Sequence, residues 1–110
     1  MLHESRVVGP RAAVRASVRL YVLAAALLLA AQGGRVEVVK ELLKFGADVN
    51  SHREGRNMLM HACQYGYAKT VEVLLKAGAD INAVNNERGG AETALMFASR
   101  YGHTKVVRIL

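Results

Sequence analysis

The sequence predicts an all-α fold, a solenoid of helix–turn–helix units with projecting β-turns. Three observations carry this. The chain repeats itself with a period of about 33 residues, visible in Gly46–Asn50 and Gly78–Asn82. Apolar residues inside each repeat recur at helical spacing. The composition is 52% hydrophobic but only 5% aromatic, with no Trp and two Phe. Such a core must be built from small and medium aliphatics, which suits thin helical layers, and it is too apolar for a disordered chain.

The repeat is dense. Gly46-Ala47-Asp48-Val49-Asn50 returns 32 residues later as Gly78-Ala79-Asp80-Ile81-Asn82. Leu59-Met60-His61-Ala62 returns 36 residues later as Leu95-Met96-Phe97-Ala98, and Tyr65-Gly66-Tyr67 as Tyr101-Gly102-His103. The segments Val36–Leu43, Lys69–Leu75 and Thr104–Leu110 also align with one another.

Each unit resolves into two helices and a turn. Leu59, Ala62 and Cys63 stand at i, i+3 and i+4, on one face of a short helix, and Val71, Leu74 and Leu75 repeat the spacing on the next. Gly66 and Gly78 follow these helices where a left-handed residue is needed. Asp80 and Asn82 supply short polar side chains for the turn beyond. Small residues at 62, 63, 98 and 99 let neighbouring helices approach closely.

These residues resemble the ankyrin-repeat family, whose pattern runs roughly G-x-T-P-L-H-x-A-A-x-x-G-H-x-x-V-V-x-x-L-L-x-x-G-A-D-x-N. One unit supplies Gly55, Leu59, Ala62, Gly66, Val71, Leu74, Leu75, Gly78, Ala79, Asp80 and Asn82. The next supplies Thr93, Leu95, Ala98, Gly102, His103, Val106, Val107 and Leu110. A degenerate first unit runs through Ala30, Ala31, Gly34, Val38, Val39, Leu42, Leu43 and Gly46. The expected units are therefore about 23–50, 51–82 and 83–110, or about 2.5 to 3 repeats. The last unit stops inside its second helix, so the chain is expected to be a fragment or part of a longer array.

The T-P-L-H tetrapeptide has become Asn57-Met58-Leu59-Met60 and Thr93-Ala94-Leu95-Met96. Asn and Thr still cap a helix, but the proline and the bridging histidine of the family are lost. These repeats are expected to be softer than consensus ones.

Residues 1–22 are expected to form a basic leader, disordered or serving as a targeting segment. Arg6, Arg11, Arg15 and Arg19 face Glu4 alone. The apolar run Leu20–Ala31 is too short for a transmembrane helix, which needs about 20 residues, so no membrane span is expected. Its Ala30-Ala31 occupies a repeat's alanine pair. Three readings stay open: a repeat helix behind a basic leader, a transit peptide with an arginine stripe at 11, 15 and 19, or a secretory signal. The lone Cys63 and the lack of an N-glycosylation sequon point to a reducing compartment, cytoplasm or nucleus. Mitochondrial or secreted destinations follow only from the targeting readings.

The net charge of +6 raises nucleic acid as a partner. Beyond residue 34, however, eleven Lys and Arg are interspersed with eight Asp and Glu. Phosphate binding needs clustered cations, so no nucleic acid is expected. His61 and Cys63 lack a second ligand pair for zinc, and Cys63 lacks the exposure and cation of a reactive thiol. No nucleophile-elbow, metalloprotease or phosphate-loop motif occurs. No catalytic residue, metal or cofactor is expected; the chain reads as a non-catalytic module with one or more protein partners.

The resemblance implies a cupped surface, with turn tips as fingers and first helices as palm. The finger residues are Arg53, Glu54 and Arg56, then Gly89, Gly90 and Glu92; the palm residues are Gln64 and Tyr65, then Ser99 and Arg100. The second finger is longer by four residues and is expected to touch the partner. The alternative is a targeted or secreted effector-like protein delivered by its Arg-rich N-terminus. Asn50 and Asn82 resemble ankyrin asparagines that become hydroxylated in animal cells; a turn-stabilising role is the competing reading.

Overall fold

The computed structural model describes residues 9–110. Six helices are arranged in two rows. α1 (Pro10–Gln32), α3 (Met58–Tyr65) and α5 (Ala94–Arg100) form the inner row, and α2 (Val36–Lys44), α4 (Ala68–Lys76) and α6 (Thr104–Ile109) the outer row. Each inner helix packs on its own outer helix, and α3 packs on the inner helices α1 and α5 to either side. This is the expected solenoid.

Local chemistry sets the helix ends. Asn57 caps α3, its side-chain oxygen accepting from the Met60 amide at 2.8 Å. Thr93 caps α5 through Met96 at 3.4 Å. The cap thus survives the altered tetrapeptide, as its chemistry requires only a side-chain oxygen. Helix C-termini repeat one device. After α4, the Gly78 amide donates to Leu75 and the Ala79 amide to Leu74, with Gly78 at φ +94°. Two otherwise orphaned carbonyls are satisfied by a left-handed residue. Gly66 does the same after α3, at φ +76°.

The core follows the stacking. Leu27, Leu59, Ala62, Cys63, Val71, Leu74, Phe97 and Ala98 are fully buried. Each buried Leu, Val or Phe contributes about 1.5–3 kcal/mol relative to exposure. Position matters within the stack. Thr70 and Val71 of the middle unit are both buried, whereas Val38 is exposed beside buried Val39, and Val107 beside buried Val106. The middle unit has a neighbour on each side, so both of its faces are covered.

Between the rows of helices project two fingers. In the first, β1 (His52–Arg53) pairs antiparallel with β2 (Arg56–Asn57), Arg53 opposite Arg56. Glu54 and Gly55 join them, both with positive φ (54° and 76°), the geometry of a two-residue type I′ hairpin. The second finger is closed by paired backbone hydrogen bonds between Asn85 and Glu92 (2.8 and 3.0 Å), with a 3-10 turn at Glu87–Gly89. The fingers dock side by side: a Cβ on Gly55 would lie 2.6 Å from Asn85 Oδ1. Asn50 braces the turns beneath, accepting from the Asp80 amide at 2.8 Å and donating to the Gly78 carbonyl at 3.3 Å.

The N-terminal segment departs from expectation. Residues 10–22, expected as part of a basic leader that is disordered or serves as a targeting segment, are helical and continuous with the first repeat helix, which excludes only the disordered reading for them. Gly9 precedes Pro10, whose fixed φ favours the first helical turn. Alanine, leucine and arginine then propagate the helix. Residues 1–8 of the expected leader lie outside the described residues. At 23 residues α1 is long and apolar enough to cross a membrane, so the twelve-residue run understated its reach. Leu27, Leu28, Ala30 and Ala31 are nonetheless buried in the repeat core.

Candidate functional site

Finger 1, finger 2 and the inner helices enclose a concave groove of about 530 Å³. Its walls carry Arg53, Glu54, Arg56, Glu87, Glu92 and Arg100, with Tyr65 and Tyr101 along the floor. Three cations and three anions make it polar without a dominant sign.

The hairpin aims Arg56 back over α3. Its guanidinium donates to Gln64 Oε1 at 2.6 Å and lies 4.9 Å from the centre of the Phe97 ring. A cation over an aromatic face is held electrostatically, so Arg56 joins finger 1 to two successive inner helices. Arg100 lies 5.8 Å from the same ring and is ion-paired to Glu92 at the base of finger 2. The groove walls are therefore held by contacts within the chain itself.

Beneath Arg56 lies His61, buried with its Nε2 unpartnered among the described residues. Burial, and then the nearby Arg56 charge, hold its pKa below the usual 6.5, against a smaller raising effect of Glu54. A cationic imidazole is disfavoured there, so His61 presents a neutral, largely apolar floor. Tyr65 stacks on Tyr67 with ring centres 5.9 Å apart, and 48% of Tyr65 is still exposed. Stacked tyrosines offer contact area with little rotamer entropy to lose.

No three His, Cys, Asp or Glu side chains converge on a metal-sized site among the described residues. Cys63 is fully buried, and burial pushes its thiol from 9.0 up to about 12. At that value the nucleophilic thiolate is scarce at neutral pH.

A family model described as ankyrin repeats (3 copies) matches residues 23–85, and one described as ankyrin repeat matches residues 92–110. The chain belongs to the ankyrin-repeat family. No curated protein gives a significant match. Ankyrin repeats are in general protein–protein interaction modules and typically non-catalytic.

On this ankyrin scaffold the groove gathers Arg53, Glu54, Arg56, Tyr65, Glu92 and Arg100, with Gln64 bonded to Arg56. Gly89 and Gly90 lie further out on finger 2, and Ser99 is exposed on α5 away from the groove lining. The Tyr-Gly pairs align Tyr101 with Tyr65, Arg100 with Gln64 and Ser99 with buried Cys63, and it is Tyr101, not Ser99, that lines the groove. Leu28, Leu29, Gln32 and His61 also line the groove outside the expected set, while Asn85 and Glu87 belong to the longer finger that was expected to touch the partner. The alanine pair Ala30-Ala31 carried the signal for Leu29 and Gln32, which flank it as His61 and Gln64 flank Ala62-Cys63. The four-residue insertion marked the second finger as a whole, but which of its side chains face the groove depends on what the loop docks against. Asn50 and Asn82 lie outside the groove, in the turns that carry the fingers.

Proposed function

We propose that this ankyrin protein binds a partner protein in the concave groove, without catalysing a reaction. The observation that carries the reading is the wall formed by Arg56 on Gln64 and Phe97, beside the exposed Tyr65 and Tyr101. Tyrosine and arginine are the side chains that most often anchor interfaces. Balanced charges on the walls favour a segment of mixed sign, with an apolar anchor over Tyr65, Leu29 and Tyr101. Finger 2 would close over one end of that segment through Glu87 and Glu92.

The buried free thiol suits a reducing compartment, and we place the binding event in the cytoplasm or nucleus. Asn50 is read as a brace between turns, and intact-mass analysis of native protein would detect an added oxygen there.

A photo-crosslinking residue placed at Tyr65, with a control at exposed Glu72 on the outer helix α4, tests the groove. A partner adduct at position 65 but not at 72, and lost in Arg56→Ala, is the expected result. Equal adducts at both positions would reject the groove as the binding surface.

A further inference from the structure

The projecting half of α1 has a chemistry that the groove does not use. We propose that Pro10–Val22 lies along an anionic lipid surface, its arginines at the headgroups and its valines in the boundary with the acyl chains. This goes beyond the groove reading and does not depend on it.

Two rows run side by side along this half-helix. Arg11, Arg15 and Arg19 form one at i, i+4 and i+8, and Val14, Val18 and Val22 form the other, each valine three residues after an arginine. On a helix these spacings make neighbouring stripes. All six residues are exposed, with Val14 at 61%, Val18 at 54% and Val22 at 55%. Tyr21, next to the valine row, is exposed as well at 70%, and Leu20, on the opposite side of the helix, at 59%. Water-exposed apolar rows of this size usually mark an interaction surface.

Charge selects the occupant. Between Pro10 and Val36 the chain holds four arginines and no Asp or Glu. A second copy packed valine row to valine row would bring two arginine rows together with no acid on α1 to offset them. An anionic bilayer complements the arginines, whose long stems let the guanidinium reach the headgroups while the valines sit deeper.

Lying on the surface fits better than crossing it. The exposed stretch of about 13 residues extends about 20 Å at 1.5 Å per residue, short of the roughly 30 Å hydrocarbon core. The rest of α1 is withheld because Leu27, Leu28, Ala30 and Ala31 pack in the repeat core. The solenoid would then sit at the membrane with its groove open to a protein partner.

The full chain, incubated with phosphatidylcholine vesicles with or without phosphatidylserine, tests this by co-sedimentation. Because the chain has no Trp, Val18→Trp supplies a lone fluorescent reporter of depth. Binding only to the phosphatidylserine vesicles, with a blue shift at position 18, is expected. Combined R11Q, R15Q and R19Q should weaken partitioning on the order of 100-fold, since each basic residue near such a surface adds somewhat under tenfold. That triple variant should keep its circular dichroism and its Tyr65 cross-link, which separates this outcome from failure of the groove reading. No binding to phosphatidylserine vesicles overturns the proposal, as does binding of equal strength to both vesicles. A doubling of mass in solution that Val18→Asp abolishes, without lipid binding, assigns the face to self-association and also overturns it.

Discussion

His103 Nε2 lies 2.8 Å from the main-chain oxygen of Gln64, one repeat earlier, and the same imidazole occupies the space above Gly66. The carbonyl can only accept, so the ring donates from Nε2. A Cβ on Gly66 would sit 2.4 Å from His103 Nδ1. One repeat back, a Cβ on Gly34 would meet the ring of Tyr67 at 3.0 Å. The residue after each turn glycine thus seals the joint to the preceding unit.

This joint predicts a coupled pair. Gly66→Ala combines a positive φ, costing about 1–3 kcal/mol for a non-glycine residue, with a collision against the imidazole. His103→Ala loses one hydrogen bond, about 1 kcal/mol. The double variant should be more stable than the two single losses sum to, because the collision disappears with the ring. Urea unfolding of the four proteins in the cycle measures this; strict additivity would show that ring and glycine do not meet.

Thr70 is fully buried and its hydroxyl has no hydrogen-bond partner among the described residues. The family pattern carries valine there. Thr70→Val should raise stability by about 1 kcal/mol, since an unpaired buried hydroxyl is costly and the shapes match. A lower melting temperature would mean the hydroxyl is satisfied in solution.

Asn50→Ala should cost about 1 kcal/mol by removing both bonds that brace successive turns. Asn82 makes no such cross-repeat bond among the described residues, so Asn82→Ala should stay within about 0.5 kcal/mol of the parent. Paired thermal melts compare the two; equal losses would place the value of these asparagines in the local turn.

Cys63 titrates at about 12 in the folded chain against 9.0 ordinarily. A raised acid pKa means the folded state holds its proton longer than the unfolded state. Stability from this group is therefore complete below pH 9 and falls as pH rises from 9 towards 12. Cys63→Ala should flatten that alkaline decline, at the cost of a small cavity. In the parent, maleimide labelling at neutral pH should proceed at the rate of global opening, and labelling as fast as a free thiol would contradict the burial.

His61 predicts the opposite limb. Its pKa is held below 6.5, so the unfolded chain binds the proton first and stability falls as pH drops below 6.5. His61→Leu, the residue found at the matching position 29, should reduce this acid sensitivity. Chemical denaturation in buffers on either side of pH 6.5 reads the difference, and an unchanged acid slope would acquit His61.

What the sequence determined by itself is whatever depends on near neighbours along the chain. The period, the Asn57 and Thr93 caps, the glycines that end helices and the Asx turns at Asp48 and Asp80 are all contacts within a few residues, so their chemistry is legible as spacing. The tertiary structure decided what depends on distant segments. Arg56 meets Phe97 only because the hairpin lays it across two units, and Gly55 meets Asn85 only because the fingers dock. The place of Tyr101 in the groove, by contrast, was legible in the sequence, because Tyr65-Gly66 and Tyr101-Gly102 align. The arginine stripe at 11, 15 and 19 allowed a helix in the leader; its continuity with the first repeat helix was decided by the structure, where the turn buried in the repeat core nucleates a helix that alanine, leucine and arginine propagate.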